Sequence, residues 1–360
     1  MPITSGGGYP KSSYKDDESL FSTPFLRFWM AVGLILACLF PFLASRYQIH
    51  LINLVWTACI GALGLNIVSG YAGLLSLGTG GFLCAGAFTA AVLSSAFKAP
   101  FWLSVIAGTM SGAFLGLIAG LPALRLKGIY LILSTLAVQF VTVYACSYYQ
   151  IKEGFTGGIP LPRPNLGAGF LLDSPLKWYF FLGAVLGIVT IFCINLERTH
   201  WGRAWMAIRD RDVAAHILGV NLGYFKLWAF VFSSAVIGLA GVLSAYYKGF
   251  ATYEEFTIWL SIYYVAMILI GGRGSIMGSF LGAFVVTLLP YLIRWVIEAF
   301  NLPMGLGLRF SAVEFAVFGL LLIIMVLLER QGLAGIWRLR IRPYFELWPF
   351  RYRRAIAARR

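Results

Sequence analysis

Three histidines (His50, His200, His216), five cysteines (Cys38, Cys59, Cys84, Cys146, Cys193) and 14 acidic residues are the obvious material for acid–base, thiol or metal chemistry in this chain of 360 residues. They are not arranged for it. The histidines fall at the edges of apolar runs or inside the charged segment 198–226, and no HExxH, GxSxG or GKS/T string occurs. The cysteines sit inside apolar stretches without CxxC spacing, which suits small packing residues and neither a zinc site nor a disulfide framework. No catalytic residue and no metal site is therefore expected. Without a Walker A string, any ATP-driven step would use a separate polypeptide, and the chain itself is expected to bind no cofactor.

Ionisable groups within apolar runs are costly and can mark an ion or proton relay. Here Glu298 follows Arg294 by one helical turn, and Glu314 lies near the start of the last apolar run. Pairing or interfacial snorkelling accounts for them.

The chemistry that remains is that of passage. Ser69–Leu93 reads SGYAGLLSLGTGGFLCAGAFTAAVL, in which Gly70, Gly73, Gly78, Gly80, Gly81 and Gly86 alternate with Ser69, Ser76, Thr79 and Thr89. Two readings stay open. Small residues let helices pack closely; exposed backbone and hydroxyls at Gly70, Gly73, Ser76, Gly78, Thr79, Gly80, Gly81 and Gly86 could instead line a path for a small polar solute. The string GLAGVLS at 238–244 echoes GYAGLLS at 70–76 and hints at two related halves.

A second stretch is charged. Arg198–Lys226 is the longest polar interruption in the chain and carries apolar residues near helical spacing, Trp205, Ile208, Val213, Ile217 and Val220, beside Arg209, Asp210, Arg211 and Asp212. It is expected to form one helical knob outside the lipid.

The elements that position these stretches follow from composition. With 60% hydrophobic residues, a mean hydropathy of +0.82 and 12% charged residues, the chain has too little polar surface for a soluble globule. We expect an all-α, polytopic transmembrane helical bundle. About 20 apolar residues cross a bilayer, and on that ruler ten spans fall near 28–44, 49–69, 74–96, 101–122, 129–149, 177–196, 226–248, 257–272, 277–299 and 310–328. The short hinges at Ala72–Gly73 and Arg273–Ser275 could mark broken or re-entrant helices. With both termini inside, 20 of the 28 Lys and Arg residues lie on the cytosolic side. That bias explains the net charge of +14 without nucleic acid and puts 198–226 in the cytosol.

The chain then divides into a cytoplasmic tract 1–27, a transmembrane body 28–328 and a basic tail 329–360, the tail reading as a membrane-lipid anchor with interfacial aromatics. Arg27 and the run ending at Ser45 mimic a signal peptide; the polar tract before them favours an uncleaved anchor. The Gly- and Pro-rich segment 150–176 is expected to be an external turn-rich loop, either a docking surface or a connector.

At this point the strings resemble a known family. Gly64–Ala90, Leu121–Ala137, Gly154–Pro160, Gly202–Leu243 and Gly271–Ala283 together are similar to the permease subunits of ABC importers of the high-affinity branched-chain amino acid type, close to the M-type subunit, over about 45–335. The resemblance implies a bacterial inner-membrane protein that pairs with a second homologous permease, two cytoplasmic ATPase subunits that use ATP, and an external solute-binding protein. It also implies an ATPase-coupling motif at Arg209, Asp210, Asp212, Ala214, Ala215 and Gly219. Here the family's acidic position is Val213, with Asp212 just before it, and Glu329–Leu333 lacks the usual proline. Branched-chain amino acids are the expected solute; urea or another amino acid fits the same class. An ion-coupled secondary carrier and a purely structural scaffold are the alternatives of a different kind.

Overall fold

The computed structural model of the chain describes residue 33 and residues 36–155, 157–165, 171–299, 310–328 and 332–337. A helical stretch over 36–43 leads to α1 (Arg46–Leu65), which runs on into a π-helical turn, Asn66–Tyr71. Then follow α2 (Thr79–Ser95), α3 (Phe101–Ala123), α4 (Ile129–Lys152) and α5 (Pro175–Arg198). Two short helices, α6 (His200–Asp210) and α7 (Asp212–Ile217), precede α8 (Leu222–Lys248), α9 (Ile258–Gly271), α10 (Ile276–Ala299), α11 (Phe310–Leu328) and α12 (Gly332–Ile336). β1 (Ile159–Pro160) and β2 (Phe250–Ala251) pair antiparallel, with Ile159 opposite Ala251.

Local sequence sets the helix ends. Ser45 and Gln48 form a reciprocal capping box that starts α1. Ser174 caps α5 with Pro175 at its first position, and Asn221 caps α8. Between the ends, α1 and α8 are apolar all round and form the core: 78% and 61% of their apolar windows are buried, against 22% for α4 at the periphery.

Six described helices are long and apolar enough to cross a membrane, and 79–95, 258–271 and 315–325 are shorter apolar helices. With 36–43, each of the ten expected runs has a helical counterpart, and the chain is an all-α polytopic bundle. Two runs need correction. The expected span 74–96 is helical only from Thr79, since 72–78 is non-helical. The expected span 257–272 is a helix of 14 residues, about 21 Å at 1.5 Å per residue. Apolar content alone cannot separate a helix from a buried extended segment.

That non-helical segment has backbone groups partnered inside the bundle. Leu74 N–H donates to Val68 O at 3.0 Å, and Leu77 N–H to Thr135 Oγ1 at 3.1 Å. At its end, Gly80 N–H donates to Ser261 Oγ at 2.7 Å, Ser261 Oγ–H donates to Gln139 Oε1 at 2.7 Å, and Gln139 Nε2–H donates to Thr257 O at 3.2 Å. Gln139 lies about 15 Å along α4 from its start. Both α2 and α9 thus begin near mid-depth, in one buried polar cluster.

The two ends of the bundle sort as the charge count expects. Lys127, Asp212, Arg209, Arg273 and the π turn meet at one end. At the other, His50 contacts Tyr247 at 2.6 Å, Lys248 pairs with Glu255 at 2.7 Å and β1 pairs with β2. The side chains of Glu298 and Glu314 lie outside the described residues, as do tract 1–27 and nearly all of the tail 329–360.

The echo between 70–76 and 238–244 does not extend to conformation. The first string leaves the π turn for the non-helical segment 72–78, while the second lies inside the unbroken helix α8.

Candidate functional site

The charged segment 198–226 is two helices and not one. Arg211 takes an extended conformation (φ −156°, ψ 102°) and breaks α6 from α7. α6 is held inward: Trp205 is fully buried, its Nε1–H donates to Phe225 O at 2.8 Å, and Ile208 is buried beside it. Trp201 packs against Tyr224, Phe225 and Trp228 of α8. α7 behaves differently. Val213 and Ile217, which helical spacing made candidates for apolar contacts, are 68% and 80% exposed, and Leu218 after them is 82% exposed.

The two alanines therefore face opposite ways. Ala215 is buried against the bundle, whereas Ala214 is exposed beside Val213. Gly219 ends α7 at φ +88°, with Val220 N–H donating to Ala215 O and Gly219 N–H to His216 O, both at 3.0 Å. This paired bonding is a Schellman stop, and its left-handed residue favours glycine.

Arg209, in the last turn of α6, ties this pair of helices to the glycine-rich segment. Its Nη1–H donates to Gly70 O at 2.9 Å, and its side chain pairs with Asp210 at 3.3 Å. Gly73, at φ +70°, lies under it; a Cβ there would sit 2.7 Å from Arg209 Cγ. From the α9–α10 turn, Arg273 Nη2–H donates to Ser69 O at 3.2 Å and Gly274 N–H to Asn66 Oδ1 at 2.9 Å. Burial first, and the neighbouring Arg209 second, pull the Arg273 guanidinium below its usual range. The π turn 66–71, a conformation frequent at functional sites, is thus gripped from two directions.

The proposed path residues separate into three groups. Gly70 and Gly73 lie at this joint with Arg209. Ser76, Gly78, Thr79, Gly80 and Gly81 form the break and the start of α2, against Thr135, Gln139 and Ser261. Gly86 lies higher, against the backbone of Gly238 in α8. Thr79 is fully buried and its hydroxyl has no partner among the described residues.

Asp212 opens α7 and accepts from Lys127 Nζ at 2.6 Å. That hydrogen bond holds its carboxyl below the usual carboxylate range, against a smaller opposing effect of burial. A depressed carboxylate stabilises the docked helix above the unfolded value of about 3.9 and loses that contribution as pH falls through the folded value. Half-exposed pairs of this kind contribute about 0.2–1 kcal/mol. A nitroxide at exposed Val213 should therefore show equal mobility at pH 8 and pH 5 and gain mobility below about pH 4, whereas Asp212→Asn should be mobile throughout. A wild-type spectrum unchanged to the acid limit would refute this anchoring.

Sequence reasoning missed Lys127, Asn66, Ser261 and Gln139 as parts of this region and marked Lys226 only as the end of the charged stretch. Lys127 counted only as a cytosolic charge, and a lone Gln or Ser in an apolar run gives no signal of a partner 122 residues away. Among the described residues no group of three or more His, Cys, Asp or Glu could hold a metal.

Interrupted helices inside an apolar bundle, joined to a short amphipathic pair at one end, define a multi-pass membrane transport subunit. The chain belongs to the family described as the permease component of branched-chain amino acid transport systems, whose model matches residues 47–326. It is similar to the high-affinity branched-chain amino acid permease protein LivM of Escherichia coli K12, with 31% identity over 88% of this chain and 77% of that protein. The probable LivM of Methanocaldococcus jannaschii is 26% identical over 64% of this chain and 67% of its own. The L-arabinose permease AraH of Escherichia coli K12 is 28% identical over 67% and 72%. No solved structure matches. The chain is accordingly a multi-pass protein of the inner membrane.

Proposed function

We propose that the chain is one of two permease subunits of an ATP-driven importer for branched-chain amino acids, working with a homologous permease, two cytoplasmic ATPases and an external solute-binding protein. ATP is bound by the partners, and this chain performs no catalysis. The observation that carries the coupling half of this reading is α7: an exposed apolar face of Val213, Ile217 and, at its C-terminal cap, Leu218, in a helix that starts three residues after the arginine fastened to Gly70. A push on α7 would reach α6, then Arg209, Gly70 and Gly73, and finally the break at Ser76–Gly81, beside which the solute path is proposed to run, with Gly86 above it. Coupling thus rests on Arg209, Asp210, Asp212, Ala214, Ala215 and Gly219. The external cavity of about 490 Å³ lined by His50, Arg163, Asp173 and Tyr247 lies where the binding protein would deliver solute.

The test is reconstitution of the five-subunit importer in proteoliposomes. Uptake of leucine, isoleucine or valine that requires ATP, the binding protein and this chain is expected. Urea or arabinose uptake in their place would move the assignment within the class. Uptake by this chain alone on an ion gradient, without ATP, would replace it with a secondary carrier.

A further inference from the structure

Where α6 meets α7, a cavity of about 270 Å³ opens between Ala72–Leu75, the Lys127–Gly128 turn, Arg209–Asp212 and Lys226 of α8. Four cations and two carboxylates line it. Both carboxylates are taken, Asp212 by Lys127 at 2.6 Å and Asp210 by Arg209 at 3.3 Å. Arg209 is committed further to Gly70 O. Two cations are left over. Arg211 is exposed at the rim, in the extended residue between the helices. Lys226 is only 5% exposed and lines the cavity, yet its ammonium makes no hydrogen bond and no ion pair within 4.0 Å among the described residues.

A largely buried lysine without a close counter-charge is unfavourable, and long side chains near a membrane edge ordinarily extend to water instead. Here the side chain is folded against the wall of a partly open cavity. The positive balance is strengthened by α4, which begins at this wall: its N-cap is Gly128, no side chain caps its first N–H groups, and helix starts carry partial positive charge. Lys127 and Asp212 face Lys226 from beyond ion-pair distance and largely cancel one another.

We propose that this cavity is an oxyanion site, in which Lys226 and Arg211 hold a phosphate or carboxylate group at the joint between α6–α7 and the non-helical segment 72–75. The group belongs to an anionic lipid headgroup at the membrane surface or to a small soluble anion; the chemistry at the protein is the same. Because Arg211 is itself the break between α6 and α7, a bound anion ties the angle between these helices to α8. Occupancy therefore stiffens α7.

The test uses the full-length chain in nanodiscs of phosphatidylcholine, titrated with inorganic phosphate at constant ionic strength, with the thermal unfolding midpoint as readout. A second series replaces part of the lipid with phosphatidylglycerol and omits phosphate. A saturable rise in midpoint is expected in at least one series. Saturation by phosphate identifies a soluble anion, and a response confined to phosphatidylglycerol identifies the headgroup. Lys226→Met should abolish the response, and Arg211→Gln, at the exposed rim where folding is not at stake, should weaken apparent affinity roughly tenfold, the value of one charged hydrogen bond. No saturable response in either series, or one that both variants retain, overturns the proposal.

Discussion

Replacing Leu218 with aspartate is expected to strip the ATPase subunits from the assembled importer while leaving the chain inserted and folded. Leu218 is 82% exposed and flanked on α7 by exposed Ile217 and Val213, so the substitution removes nothing from the chain's own core. Within a partner's cleft the same three side chains would form a compact apolar anchor, with the small Ala214 between them admitting close approach. Losing one buried leucine costs about 1.5–3 kcal/mol, and desolvating the new carboxylate adds to that. A fall in ATPase affinity of about a hundredfold or more follows. Co-purification on an affinity-tagged permease measures it, alongside ATP-driven uptake. Normal recovery and uptake would remove α7 as the docking element. Gly219 and Ala215 are less clean targets, since Gly219 closes the helix at positive φ and Ala215 packs inside the bundle.

The second large effect lies in the membrane. Gly86→Val is expected to prevent the fold from closing, because even a Cβ at Gly86 would collide with the backbone carbonyl of Gly238 on α8. Its neighbours offer no slack. A Cβ at Gly108 of α3 would lie 2.8 Å from Gly86 O, and one at Gly238 would lie 3.1 Å from Gly112 Cα. Three helices meet backbone to backbone at these glycines, so relief requires moving a whole helix and not a rotamer. Overpacking of this kind costs about 3 kcal/mol, the upper end of the usual range, or more. Denaturant titration in detergent should show the loss, while Gly187→Val on α5, where a Cβ meets nothing within 4 Å, serves as the control. Equal stability of the two variants would show that α2, α3 and α8 do not close on one another as described.

These two sites illustrate what a sequence discloses. Ten apolar runs and the sides of their loops could be read from length and charge, because lipid imposes both. The glycines of 70–86 also stood out, but not which of them packs a helix and which lines the break; that depends on partners such as Gly238, Gln139 and Ser261, far away in the chain. Helical periodicity marked 198–226 as helical but read one helix where there are two, and it named Val213 and Ile217 as apolar contacts without saying what they touch. Periodicity reports an apolar face and not its owner, and here the face is left open. Lys226 marked only the end of the charged stretch, and its burial could not be read, since burial of a single lysine is decided by the segments that enclose it.

The polar break also sets an order in time. Gly80 closes its hydrogen bond only through Ser261, 181 residues later in the chain. At typical synthesis rates of about 5–20 residues per second, the first half must wait on the order of ten seconds or more with that amide and the Gln139 side chain unmatched inside the membrane. A chain ending before residue 261 never completes the cluster, however many of its spans have already inserted. Assembly of this subunit is therefore gated by a late residue in an early gap, and quality control has a defined interval in which an unfinished copy differs chemically from a finished one.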